Sequence, residues 1–213
     1  MEANRKRRAI DYLEYLNTLG FDQIILREDE ISRYRKLIQE IKRCKKCPLY
    51  RNRRNPVPGA GPINARLMII GEAPGEKEDL IGLPFVGPSG QKLTLWLKEI
   101  GISRDDVYIT NIVKCRPPHN REPTIEEEMA CRPYLERQLE MIRPEIMLLL
   151  GNVALGAIKG SRGGITKLRG KIFDYGDIKA LPTFHPSYIL SNPNKENLIR
   201  EDFAVLKGLY YGK

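Results

Sequence analysis

Four short apolar stretches, residues 66–71, 107–113, 145–151 and 179–184, run with almost no polar alternation along this chain of 213 residues. Each is followed by a turn signal and then by a stretch with helical spacing, at 89–100, 123–142, 152–158 and 196–209. Unbroken apolar runs suit strands buried on both faces, and strand–helix alternation predicts right-handed crossovers. The expected fold is therefore α/β: an open, four-stranded, mainly parallel sheet with helices on both faces. Ser89 is the expected cap of the first helix. Pro123, followed by Glu126, Glu127 and Glu128, suits the opening of the second.

About 43 residues precede this core, and they also read as helical. Ile10, Leu13, Leu16 and Leu19 recur at helical spacing, as do Ile31, Tyr34, Leu37, Ile38 and Ile41. They predict an N-terminal helical extension over residues 1–40, packed as an arm against a domain spanning 41–213. In open α/β sheets ligands bind beyond the carboxyl ends of the strands. That rule nominates four places before any motif is weighed: residues 71–75, 111–115, 151–152 and 185–188.

Charge adds a partner class. Lys and Arg number 36 against 27 Asp and Glu, a net charge of +9, with a pI near 9.4. A basic surface attracts polyanions through phosphate contacts, although a Lys- and Arg-rich thermophile surface is the plainer alternative. No apolar run approaches membrane-spanning length, and residues 1–9 lack the apolar core of a secretory signal. The expectation is a soluble, cytoplasmic protein in a reducing compartment, where cysteines more often bind metal than pair.

There are four cysteines. Cys44 and Cys47 form a C-x2-C pair; Cys115 and Cys131 have fifteen residues between them, Pro117, Pro118 and Pro123 included. A zinc ribbon closes with a second tight pair, which this chain lacks, whereas four thiolates from two regions suit a [4Fe–4S] cluster. Spacing alone leaves iron–sulfur and zinc level, and His119 stands near enough to replace one ligand. Lys45, Lys46, Arg51, Arg53, Arg54, Arg116, Arg121 and Arg132 flank these cysteines and form a candidate DNA-facing patch.

The strand ends carry the remaining chemistry. Gly71-Glu-Ala-Pro-Gly75 lets the backbone turn sharply and present amide N–H groups, but it lacks the spacing of a phosphate loop. Phe85, in the loop Leu83-Pro-Phe-Val-Gly-Pro-Ser-Gly90, is either ordinary core or a stacking platform for a base. Asn111 ends the second strand, and its amide offers the donor and acceptor that read a pyrimidine edge. His185-Pro-Ser-Tyr188 follows the last strand.

Gly71-Glu-Ala-Pro-Gly75, Phe85-Val-Gly, Asn111-Ile-Val-Lys-Cys-Arg-Pro-Pro118 and His185-Pro-Ser-Tyr188 occur in this order, with the cysteines interspersed. The set resembles the family 4 uracil-DNA glycosylases, iron–sulfur enzymes of bacteria and archaea, from about Ile41 to the C-terminus. The resemblance implies a structural [4Fe–4S] cluster on Cys44, Cys47, Cys115 and Cys131, and so tips the choice away from zinc. It implies a monofunctional glycosylase that flips uracil from single- or double-stranded DNA and hydrolyses its N-glycosidic bond to start base excision repair. Phe85 would stack on the base and Asn111 would bond its edge. Glu72, Ala73 and Pro74 would line the pocket, and Glu78 would stand near C5, where it rejects thymine. His185 would donate to O2 as charge develops. Ala73 stands where better-known relatives carry a water-orienting aspartate, so Glu72 becomes the candidate for that role. Pro88-Ser89 replaces an Arg-Ala pair. Ile189 and Leu190 are candidates for a wedge into the space the base leaves. A sliding clamp or other repair factor suits such an enzyme as partner, although no clear clamp-binding motif is present. The competing readings are a DNA-binding module without catalysis and a relative acting on another damaged base.

Overall fold

The computed structural model describes residues 23–160 and 163–212. The four expected strands are β1 (Leu67–Gly71), β2 (Tyr108–Asn111), β3 (Ile146–Leu150) and β5 (Ile178–Thr183). They pair in parallel in the spatial order β2-β1-β3-β5. Every residue of β1, β2 and β3 is buried, which is why their sequence shows no alternation. A fifth strand, β4 (Phe173–Tyr175), pairs antiparallel with β5 at the edge and extends the four-stranded sheet to five. Three residues of mixed exposure leave no apolar run to announce it.

Helices α2 (Glu76–Ile81), α3 (Pro88–Glu99), α4 (Ile125–Ile142), α5 (Gly151–Lys159), α6 (Ile165–Leu168), α7 (Pro186–Ser191) and α8 (Glu196–Tyr211) follow α1 (Gln23–Arg43). Ser89 is not the cap of α3: Gly87 takes that place and Pro88 opens the helix, its fixed φ already helical. At α4 the cap is Thr124, whose side chain accepts from the Glu127 N–H while Glu127 reaches back to the Thr124 N–H. Arg121 then grips the same Glu127 with both guanidinium nitrogens.

Helix α1 runs past residue 40 without a break. Its Leu37 and Ile41 are fully buried, and its Tyr34 hydroxyl meets that of Tyr108 at 2.9 Å. The earlier apolar set, Ile10 to Leu19, lies outside the described residues. Among the described residues no helix is long and apolar enough to cross a membrane.

Candidate active site

Register brings the first two nominated strand ends together. Gly71 pairs with Asn111 across β1 and β2, so both chains leave the sheet side by side. A Cβ on Gly71 would fall 2.4 Å from Asn111 Oδ1 and 2.6 Å from Phe85 Cζ. Only a glycine lets the amide and the ring close over the same backbone. The fourth nominated end, after β5, delivers His185, and Phe85 and His185 stand with ring centroids 5.8 Å apart. The third end supplies no side chain: Gly151 lies under the His185 Cβ, 3.1 Å from where its own Cβ would be.

These residues enclose a cavity of about 220 Å³. Such a space is smaller than the roughly 300–1,000 Å³ of drug-sized ligand sites and suits a single flat ring. Glu72, Ala73, Pro74, Glu78, Phe85, Asn111 and His185 all line it, so the structure gathers every pocket residue expected from the sequence. Ser187, from the nominated end after β5, lines it as well, and so do Ser89, Asn120 and Arg121, which were not expected there. No lysine lines it. A larger apolar hollow of about 400 Å³ lies between α4 and α5, away from the strand ends.

The loop presenting Phe85 is clamped on both sides. Glu78 accepts the N–H groups of Val86 and Gly87 at 2.9 and 2.7 Å. Arg104 donates to the Pro84 carbonyl at 2.7 Å and to Thr94 Oγ1 at 3.1 Å. Between these anchors Phe85 adopts a left-handed φ of 51°, which costs a non-glycine residue about 1 kcal/mol or more. Two long-range clamps hold the ring in a strained posture over the cavity, which marks it as more than core filling.

Asn111 is 1% exposed, and its Oδ1 has no hydrogen-bond partner among the described residues. Buried polar atoms are nearly always satisfied, so an orphan acceptor on a cavity wall is a vacancy for a ligand donor. His185 is the complement. Its Nδ1 accepts from the Ser187 N–H at 3.2 Å, at the start of α7, and lies 2.7 Å from Ser187 Oγ. A backbone N–H can only donate, so Nδ1 carries the lone pair and the ring proton sits on Nε2. Burial pushes the His185 pKa down to about 4, against a smaller opposing pull from Glu78. Among the groups lining the pocket are thus an unpartnered amide acceptor, a neutral ring donor and an aromatic face.

The cysteines draw together from three chain regions. Cys44 follows α1, Cys47 opens the turn Pro48–Arg51, Cys115 follows β2, and Cys131 lies within α4, past the proline-rich loop. None is in a disulfide. Cys47 feels the charge of Cys44, Cys115 that of Cys47 and Cys44, and Cys131 that of Cys115 and Cys47. Donors surround the sulfurs. Arg53 reaches Cys115 Sγ at 3.0 Å, the Lys114 N–H reaches Cys131 Sγ at 3.3 Å, and the Lys46 N–H reaches Cys44 Sγ at 3.5 Å. Burial pushes the Cys131 thiol up to about 11, with Lys114 pulling the other way. Ionising these sulfurs therefore needs a strong cation among them. No three His, Cys, Asp or Glu side chains among the described residues form a ready single-ion site.

The expected basic patch is partly spent on structure. Arg53 also donates to the Lys42 and Cys44 carbonyls, Arg121 and Arg132 pair with Glu127 and Glu136, and Lys46 lies over the Tyr134 ring. Of the two wedge candidates, Ile189 is buried at 1% exposure, whereas Leu190 is 40% exposed. Side-chain direction on α7 makes that choice.

Residues 58–207 match the model of the uracil DNA glycosylase superfamily. The chain is 47% identical over 173 residues to a type-4 uracil-DNA glycosylase of Thermotoga maritima, covering 79% of this chain and 90% of the relative. It is 46% identical over 183 residues to a type-4 uracil-DNA glycosylase of Sulfurisphaera tokodaii, covering 82% and 83%. A third type-4 uracil-DNA glycosylase, from Saccharolobus solfataricus, is 46% identical over 180 residues, covering 80% and 83%.

Proposed function

As a chain that belongs to the type-4 branch of the uracil-DNA glycosylase superfamily, this protein is, we propose, a monofunctional enzyme that excises uracil from DNA at the pocket formed by Phe85, Asn111 and His185. The observation that carries this reading is the unpartnered Asn111 Oδ1 on the wall of a one-ring cavity. It calls for an N–H donor, which uracil supplies at N3.

The base leaves the stack at a cost of a few kcal/mol, least in a mismatch or a single strand, and enters the cavity against Phe85. Asn111 accepts from its N3–H. His185 Nε2–H donates to O2 as the bond between N1 and the sugar breaks and negative charge spreads over the leaving base. A fixed donor of this kind is worth on the order of 3 kcal/mol in the transition state. Because Ser187 holds the imidazole neutral, the group donates a hydrogen bond and keeps its proton. Water then attacks the sugar carbon, positioned by Glu72 in place of the aspartate that Ala73 lacks. With its carboxylate fixed by Val86 and Gly87, Glu78 is a rigid wall on which a C5 methyl collides, so thymine is refused. Leu190 is the side chain available to fill the vacated stack. The absence of lysine from the pocket lining among the described residues supports hydrolysis without a strand-cleaving step.

The four cysteines are the ligands of a structural [4Fe–4S] cluster in this reading. One feature of the site supports it. The N–H and guanidinium donors around the sulfurs suit an anionic, sulfide-bridged group. Bound there, the cluster supplies cross-links between α1, the loop after β2 and α4, and no electrons to the hydrolysis. The substrate and the cytoplasmic setting of a prokaryotic repair enzyme belong to the same proposal.

Incubation with a single-stranded oligonucleotide carrying one uracil, followed by alkali, tests the activity: cleavage at that position is expected. Intact oligonucleotide across salt and temperature sinks the enzyme reading in favour of a binding module. Cleavage of hypoxanthine or thymine·guanine substrates in preference to uracil replaces the substrate.

A further inference from the structure

Lys114 is 1% exposed, and its ammonium is enclosed by three acceptors: the Asn111 carbonyl at 2.6 Å, Thr110 Oγ1 at 2.7 Å and Gln138 Oε1 at 2.7 Å. All three N–H directions are used, so the site is built for a lysine head group. None of the three acceptors carries a charge. A buried cation with only neutral partners is an expensive arrangement, and proteins keep one where an anion lies close by. Lys114 is the immediate chain neighbour of Cys115, and its own N–H donates to Cys131 Sγ at 3.3 Å.

We infer that Lys114 is a positioning residue that joins the cysteine site to the base pocket, as counter-charge to the thiolate-bound group on one side and tether of Asn111 on the other. The inference rests on the four-cysteine ligand set proposed above. On the cysteine side, four thiolates and their metal group carry net negative charge into a region where Cys115 and Cys131 are buried, and Lys114 offsets it. On the pocket side, the ammonium holds the last carbonyl of β2, the backbone that aims the Asn111 amide. Gln138 extends the frame, donating to the Pro58 carbonyl at 2.7 Å and to the Tyr108 hydroxyl at 2.9 Å. Tyr108 in turn meets Tyr34 of α1. A network that served packing alone needs hydrogen bonds but not a full charge.

The test compares holoprotein of the wild type, Lys114→Met and Lys114→Arg. Iron and sulfide per chain, the midpoint potential of the cluster and the inhibition constant of free uracil are measured. Wild-type protein without iron and sulfide refutes the cluster reading itself, visibly and before any variant is compared. With a loaded wild type, Lys114→Met is expected to hold its cluster at a more negative midpoint, since a nearby positive charge favours reduction. If Lys114→Met fails to load while Lys114→Arg loads, the need for charge is equally supported. An unchanged midpoint in loaded Lys114→Met, or failure of both variants to load, overturns the counter-charge, because shape rather than charge then governs. The loaded Met variant should bind free uracil about tenfold more weakly, and wild-type affinity there overturns the tether.

Discussion

The pocket and the cysteine site lie at the two ends of one short stretch, Asn111 to Cys115, and are finished in opposite ways. In the pocket the loop that presents Phe85 is tied by internal bonds, yet Asn111, which lines the cavity, keeps a buried Oδ1 without a partner among the described residues. Around the cysteines, donors from Arg53, Lys46 and Lys114 already reach the sulfurs. A site that must release its ligand keeps its recognition atoms vacant between turnovers. A site for a resident group surrounds it with donors once and for all. The difference is the one expected between a substrate site and a scaffold site.

The largest effect that would sharpen this contrast is on rate. His185→Ala should lower kcat by about 10²–10³ and Asn111→Ala by a comparable factor, with a cooperative melting transition and the iron content retained. Single-turnover excision and a melting curve check both; full turnover in either variant breaks the pocket assignment. Cys131→Ser should do the reverse. Iron content should fall and stability drop by several kcal/mol, seen by denaturant titration, as when a structural metal is lost. A variant that keeps its iron and its melting temperature removes Cys131 from the ligand set.

Smaller is Gly71→Ala, where the added carbon meets both Asn111 and Phe85. Overpacking of this kind costs about 1–3 kcal/mol, and displaced recognition atoms should raise the inhibition constant of free uracil at least about tenfold. Unaltered inhibition would mean that the pocket is looser than its contacts indicate. The smallest effect is in pH. Folding lowers the His185 pKa from 6.5 to about 4, so between those values the unfolded chain binds more protons. The contribution of His185 to stability is therefore complete above about pH 6.5 and declines as pH falls to about 4. Activity dependent on neutral His185 should likewise hold down to near pH 4. An acid limb near 6.5 that vanishes in the His185→Ala residual activity contradicts the lowered pKa of His185.

The four parallel strands were legible because a strand buried on both faces must be apolar at every position, and that is a local property of the chain. Strand β4, short and half-exposed, carries no such mark, and Ser89 looked like a cap because capping chemistry is common to every exposed serine near a helix start. The site residues at strand ends followed from the same local logic, since topology alone nominates those ends. What held them did not. Glu78 was expected as a wall beside the base and proves also to be the clamp on Val86 and Gly87, while Arg104, from nineteen positions beyond Phe85, secures the other side.

The sequence by itself determined the four parallel strands, which residues stand at their ends, and the places of four cysteines along the chain. Only the tertiary structure decided that Asn111 keeps an unpaired acceptor, that His185 carries its proton on Nε2, that Arg53 is spent on Cys115, and that Lys114 is buried between the two sites. The first set follows from how each segment meets water. The second follows from which distant groups reach each donor and acceptor once water is excluded, and no local pattern encodes that.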